Sequence, residues 1–173
     1  SIDVFAFNTG GDEIGKATES NIDGFVDNVF LKKVRASGGT KYSPVMKMIV
    51  DSSVNKASGF KSLFGKKPNV TTDTPTLVFF ITDGELERSD RDATERIIRE
   101  TANQPIFWQF IGIGSEQFEF LQKLDDLTGR FLDNADFFKV QDPIGMSDEQ
   151  FYMNILNEFP SWVQQAKSKG ILL

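Results

Sequence analysis

Two short stretches of this sequence set oxygen donors beside glycines. One is Gly38-Gly39-Thr40 and the other is Thr82-Asp83-Gly84-Glu85. A hydroxyl and a carboxylate with close backbone access suit a hard cation such as Mg²⁺, which takes oxygen ligands and keeps waters. Thr40 and Asp83 are the candidate ligands, and Gly38, Gly39, Gly84 and Glu85 stand next to them. Two donors are too few for an ion, and no third loop with further oxygens is obvious. The chain has no His and no Cys. Ser-His-Asp and Cys-His catalysis, thiolate metal sites and the usual zinc sites are therefore excluded within it. Asp83 also suits a plainer role, as a turn residue capping the next helix.

Both stretches need strand ends to hold them. Leu77 to Ile81 is an unbroken apolar run, which predicts a central strand buried on both faces of a parallel sheet. Pro75 precedes it, where a missing N–H does least harm. Asp83 then falls at the carboxyl edge, where open α/β sheets collect ligands. Pro105 to Ile113 reads as a second buried strand, Ile2 to Phe7 as another, and Phe137 to Val140 as the last.

Helical periods lie between these runs. Ile22, Phe25, Val26, Val29, Phe30 and Val34 share one face of a helix that Ser20 or Asn21 would cap. Pro44 fits the first turn of the next helix, with Ser43 as cap and Val45, Met46, Met48 and Ile49 on its apolar face. Asp51-Ser52-Ser53 then falls on solvated helix surface. Residues 56–74 read as a long connection, tacked down by Phe60, Leu63 and Phe64. Ser89 with Asp92 resembles a capping pair for a helix burying Ala93, Ile97 and Ile98. Phe118, Leu121, Leu124 and Leu127 mark a further helix ended by Gly129. Ser147 with Gln150 forms a capping box, and Pro160 separates that helix from a final one with Trp162, Val163 and Ala166. Gly112-Ile113-Gly114 matches only two glycines of a dinucleotide fingerprint. The alternation predicts one domain with a doubly wound, mainly parallel α/β sheet and helices on both faces.

The 173 residues are enough for a real core, and 17 Phe make it aromatic-rich. Net charge is −6, with no basic cluster beyond Lys66-Lys67, which argues against nucleic acid as a partner. No apolar run approaches the roughly 20 residues of a membrane span. The absence of Cys suits a cytoplasmic setting.

Several stretches together resemble a known family. Gly39-Thr40-x-Tyr42-x-Pro44 and Phe80-Ile-Thr-Asp-Gly-Glu85 are similar to von Willebrand factor A-type (vWA) domains. Residues 105–114, Leu124-Asp-Asp-Leu127, Asp133-Asn-Ala-Asp-Phe-Phe138 and Asn157-Glu-Phe-Pro-Ser-Trp162 resemble the bacterial tellurium-resistance, TerF-like branch. Copine A domains are more distantly similar. The resemblance implies a six-strand sheet and a metal-ion-dependent adhesion site built from an Asp-x-Ser-x-Ser loop, a Thr and an Asp. Thr40 matches the second part and Asp83 the third. The first part is not in this chain. Ile2–Phe7 looks like the family's second strand, so residues 1–173 are expected to form a vWA-like domain without its first strand and metal loop. The family's order would put that strand between Ile2–Phe7 and Thr76–Thr82. Those two should then stand about 10 Å apart rather than pair.

The function so implied is non-enzymatic. A Mg²⁺ held by hydroxyls and carboxylates would offer an open position to an acidic side chain of a protein partner. The setting implied is bacterial tellurite or stress resistance. From a different class comes a Mg²⁺-dependent phosphoryl-transfer enzyme, with Asp83 on the metal and Glu85 as base. A scaffold domain with a vestigial metal site is a third reading.

Overall fold

The computed structural model describes residues 1–34, 38–58 and 72–173. In chain order the strands are β1 (Ile2–Phe7), β2 (Gly11–Ala17), β3 (Thr76–Thr82), β4 (Ile106–Ile113) and β5 (Ala135–Val140). The helices are α1 (Leu31–Lys33), α2 (Ser43–Ser58), α3 (Arg91–Thr101), α4 (Glu119–Asp125), α5 (Asp148–Ile155) and α6 (Phe159–Ser168).

β3, β4 and β5 form a parallel sheet in that order, with Phe80 beside Phe110 and Phe110 beside Phe137. Successive side chains point to opposite faces. Ile106, Trp108 and Phe110 enter the main core with residues of α2, α3 and α4. Phe107 packs on the other face with Trp162 and Ala166 of α6, and Ile111 packs there with Ile155 of α5. Helices thus cover both faces, and the predicted doubly wound α/β class is the class observed.

The strand buried on both faces is β4, in the middle of the sheet, and not Thr76–Thr82. β3 pairs with β4 alone among the described residues. Its Val78 and Phe80 are buried, whereas Phe79 and Ile81 are 43% and 52% exposed. The cover on that face ends before it reaches them: α6 packs over Leu77, and α5 over β4 and β5.

Ile2–Phe7 does not join the parallel sheet either. It pairs antiparallel with Gly11–Ala17, and the register shifts at Val4/Phe5, which leaves Ile14 as the extra residue. Ile14 turns inward and is buried with Ala6, Ala17 and Phe25. β1 and β3 do not pair with each other, as the expected strand order requires. Side chains span the interval instead. Phe7 stacks on Phe80 with ring centroids 4.8 Å apart, and Tyr42 packs edge-on against Phe7 at 5.5 Å.

The helix expected from Asn21 is displaced and irregular. Val26–Phe30 is a π-helical turn leading into α1, and Ile22 and Val26 are exposed. Asn21 caps nothing there, because its side chain accepts from the Thr18 amide. α2 continues to Ser58, beyond the expected start of the connection at residue 56. Phe60, Leu63 and Phe64 lie outside the described residues. The Ser89–Asp92 capping pair is not formed; Ser89 Oγ donates to Glu87 instead. α3 buries Thr94, Ile97, Ile98 and Thr101, with Ala93 half-buried. The last strand starts earlier than expected, at Ala135. The Ser147 cap is formed as expected, with its hydroxyl accepting from the Gln150 amide at 3.3 Å.

No described helix is long and apolar enough to cross a membrane. Gly112 has a packing role. A Cβ there would lie 2.9 Å from the ring of Phe118, a buried residue held in the left-handed region at φ 52°.

Candidate metal-binding edge

The segment entering α2 and the loop after β3 meet at the carboxyl edge of the sheet, and three contacts join them. The Glu87 amide donates to Thr40 O at 2.8 Å. Tyr42, fully buried, donates its hydroxyl to Gly84 O at 2.8 Å and lies 3.2 Å from Thr82 Oγ1. Asp90 reaches across to the start of α2, where its Oδ2 accepts from the Tyr42 and Ser43 amides at 2.7 and 2.9 Å. Its Oδ1 accepts from Ser43 Oγ at 2.5 Å, and its Oδ2 accepts also from Thr94 Oγ1 at 3.2 Å. The first N–H groups of a helix have no partner within it, so a carboxylate from another element can cap it.

Thr40 and Asp83 are therefore brought to one edge. Thr40 is half-buried and Asp83 exposed. Neither the Thr40 hydroxyl nor the Asp83 carboxylate has a hydrogen-bond partner among the described residues. Burial pushes the Tyr42 hydroxyl up to about 12; the Thr82 hydrogen bond opposes this, and the charges of Glu85, Asp83 and Asp90 add to it.

The glycines next to Thr40 differ in purpose. Gly38 has φ +97°, a conformation that favours glycine. Gly39 lies under Glu87, and a Cβ on it would stand 1.7 Å from Glu87 Oε1. The other oxygen of Glu87 faces Lys41 Nζ at 3.7 Å. Glu85 is committed elsewhere. Its Oε2 pairs with Arg91 Nη2 at 3.0 Å, and its Oε1 accepts from the Phe120 amide at 3.3 Å. A Cβ on Gly84 would meet nothing within 4 Å.

Sequence reasoning missed Tyr42, Glu87 and Asp90. Tyr42 stood inside the Gly39-to-Pro44 stretch, and only its separation by two residues from Thr40 could have drawn attention to it. Glu87 and Asp90 carry no local signal for this role, because their partners at the entry to α2 lie more than 40 residues away in sequence.

The oxygen donors at this edge have the right chemistry for Mg²⁺, a hydroxyl and free carboxylate with Glu87 beside them. They make up only part of the octahedral set that Mg²⁺ needs. Among the described residues no three carboxylates converge at this edge.

Comparison with known proteins agrees with this architecture. The profile of the vWA-TerF-like family, described as the vWA found in TerF C terminus, matches residues 1–172. A protein of Bacillus subtilis (strain 168), carrying the name "Uncharacterized protein YcbR", is 32% identical over 173 residues. That match takes in 99% of this chain and 64% of the relative, so the chain spans less than two thirds of that protein's length. A parallel β3-β4-β5 sheet with helices on both faces, and a family match over nearly every residue, lead to one assignment: this chain belongs to the vWA-TerF-like family.

Proposed function

We propose that this chain is a non-enzymatic, metal-ion-dependent protein-interaction domain of a bacterial tellurite- or stress-resistance protein acting in the cytoplasm. One observation carries the reading. The Tyr42 bridge to Gly84 ties the Thr40 segment to the Asp83 loop at the carboxyl edge of the sheet, with the Asp83 carboxylate exposed and unpartnered among the described residues. Thr40 and Asp83 would hold Mg²⁺ jointly with further oxygen ligands. The bound ion would supply an open position for an acidic side chain of a partner protein. Without it that side chain would face Asp83 unscreened.

The phosphoryl-transfer reading needs Glu85 as a free base, whereas Glu85 is paired with Arg91 and the Phe120 amide. The test compares a longer protein carrying this domain with its Asp83→Ala variant, each with Mg²⁺ and with EDTA. Partner retention on the immobilised domain should need both Mg²⁺ and Asp83. Retention unaffected by EDTA would defeat the proposal. Turnover of p-nitrophenyl phosphate that needs Mg²⁺ and Asp83 would favour the enzyme instead.

A further inference from the structure

Gln109 sits in the middle of β4 and is completely buried, yet neither its Nε2 nor its Oε1 has a hydrogen-bond partner among the described residues. Burying an amide without partners is costly, so such a group calls for a ligand. On its own strand Gln109 lies between Phe107 and Ile111, the apolar contacts of α6 and α5. Beside it in register on β5 is Asp136. Gln109 comes close enough to Asp136 to ease its charge without making a hydrogen bond of normal geometry.

Asp136 belongs to a cluster. One carboxylate oxygen each from Asp125, Asp136 and Glu158 lie within 4.8 Å of one another. Asp125 ends α4, and Glu158 precedes α6. These residues come from Leu124–Leu127, Asp133–Phe138 and Asn157–Trp162, three stretches whose motifs the adhesion edge does not use. None of the three carboxylates is in an ion pair among the described residues.

The nearby cation is held mostly by other groups, and its Nη1 is buried without a hydrogen-bond partner among the described residues. Arg130, its side chain 4% exposed, donates from Nε to Leu127 O and from Nη2 to Asp125 O, each at 2.6 Å. Its Nη2 also pairs with Asp133 Oδ1 at 2.7 Å. Burial, then the charges of Asp136, Glu158, Asp126 and Asp133, push Asp125 up to about 7. Arg99 adds a second positive charge beyond Arg130. The arrangement leaves three mutually repelling carboxylates, one of them beside the buried Gln109 amide, with the exposed Glu158 open to solvent.

We propose that Asp125, Asp136 and Glu158 form a second metal site, with Gln109 Oε1 as a neutral fourth ligand, and that it takes Ca²⁺. Ca²⁺ accepts six to eight oxygens at 2.3–2.6 Å in flexible geometry, so ligands on opposite sides of one ion lie about 4.8 Å apart. The spacing of the carboxylates falls within that limit. Mg²⁺ fits less well, because it demands a tight octahedron and gives up water reluctantly. Waters entering past Glu158 complete the shell. The site lies on the α5–α6 face of the sheet and is independent of the Thr40–Asp83 edge.

The test is a Ca²⁺ titration of the protein by calorimetry, with Tb³⁺ luminescence excited through tryptophan as a second readout. Trp162 lies one helical turn after Glu158. We expect one saturable Ca²⁺ per chain that displaces Tb³⁺, and a higher Tm in Ca²⁺ than in EDTA. Glu158→Gln alters an exposed side chain and should weaken Ca²⁺ by roughly tenfold or more. Gln109→Leu keeps every carboxylate and should also weaken it. Asp83→Ala should bind Ca²⁺ as the unmodified protein does, which separates this site from the proposed adhesion site. Absence of saturable Ca²⁺ binding up to millimolar concentration would overturn the proposal. So would unchanged affinity in both Glu158→Gln and Gln109→Leu, or loss of binding in Asp83→Ala.

Discussion

The Tyr42 hydroxyl donates to the Gly84 carbonyl at 2.8 Å, so one buried phenol ties the entry of α2 to the loop that carries Asp83. Tyr42→Phe removes the bridge and leaves the ring packing in place. We expect a loss of about 1–2 kcal/mol, since Gly84 O and Thr82 Oγ1 lose a buried partner. Urea unfolding measures it. A neutral result would mean that the two loops are held by Asp90 and Glu87 alone.

Asp90 should matter more to stability. It accepts four hydrogen bonds while 5% exposed, and two of them come from amides at the start of α2. Asp90→Ala should cost about 3 kcal/mol, combining a lost helix cap with buried donors left unpaired. Ser89→Ala should cost less than about 0.5 kcal/mol, the range for surface changes away from such features. Thermal unfolding of the two variants side by side would test the contrast, and equal losses would contradict it.

Neighbouring glycines should respond differently to alanine. Gly38→Ala forces a side chain into φ +97° and should cost about 1–2 kcal/mol. Gly39→Ala meets only the end of the Glu87 side chain, which can swing away from Lys41 and open that ion pair. The cost should stay below about 1 kcal/mol, since an exposed pair of this kind contributes little. Denaturation midpoints and a crystal structure of Gly39→Ala would show both effects.

The acidic cluster gives a pH dependence of defined sign. Asp125 is raised from 3.8 to about 7, first by burial and then by Asp136, Glu158, Asp126 and Asp133. Between these values the folded protein keeps a proton that the unfolded chain has lost. The resulting stability is present in full below about pH 4 and is lost as pH rises through about 7. In EDTA, Asp125→Asn should therefore gain stability over the unmodified protein from pH 5 to pH 8. Tm measured across that range should show the two curves diverging, and parallel curves would contradict the assignment.

Local pattern was enough for much of this protein. The alternation of apolar runs and helical periods implied a doubly wound α/β domain, and the Ser147–Gln150 box marked the start of α5, because both depend on residues close in sequence. Thr40 and Asp83 drew attention for the same reason, as donors beside glycine at the ends of predicted elements, and the fold sets their two loops at one edge of the sheet. Apolar character could not say what covers a strand. Leu77–Ile81 reads as fully buried, yet Phe79 and Ile81 face outward because α5 and α6 pack over other parts of the sheet. Asp90, the true partner of the α2 start, lies 47 residues from Ser43, and no spacing rule joins residues that far apart. Gln109 read as one polar residue in an apolar strand. Only the register of β4 on β5 set it beside Asp136, and only the tertiary packing of α4 and α6 brought Asp125 and Glu158 to the same place.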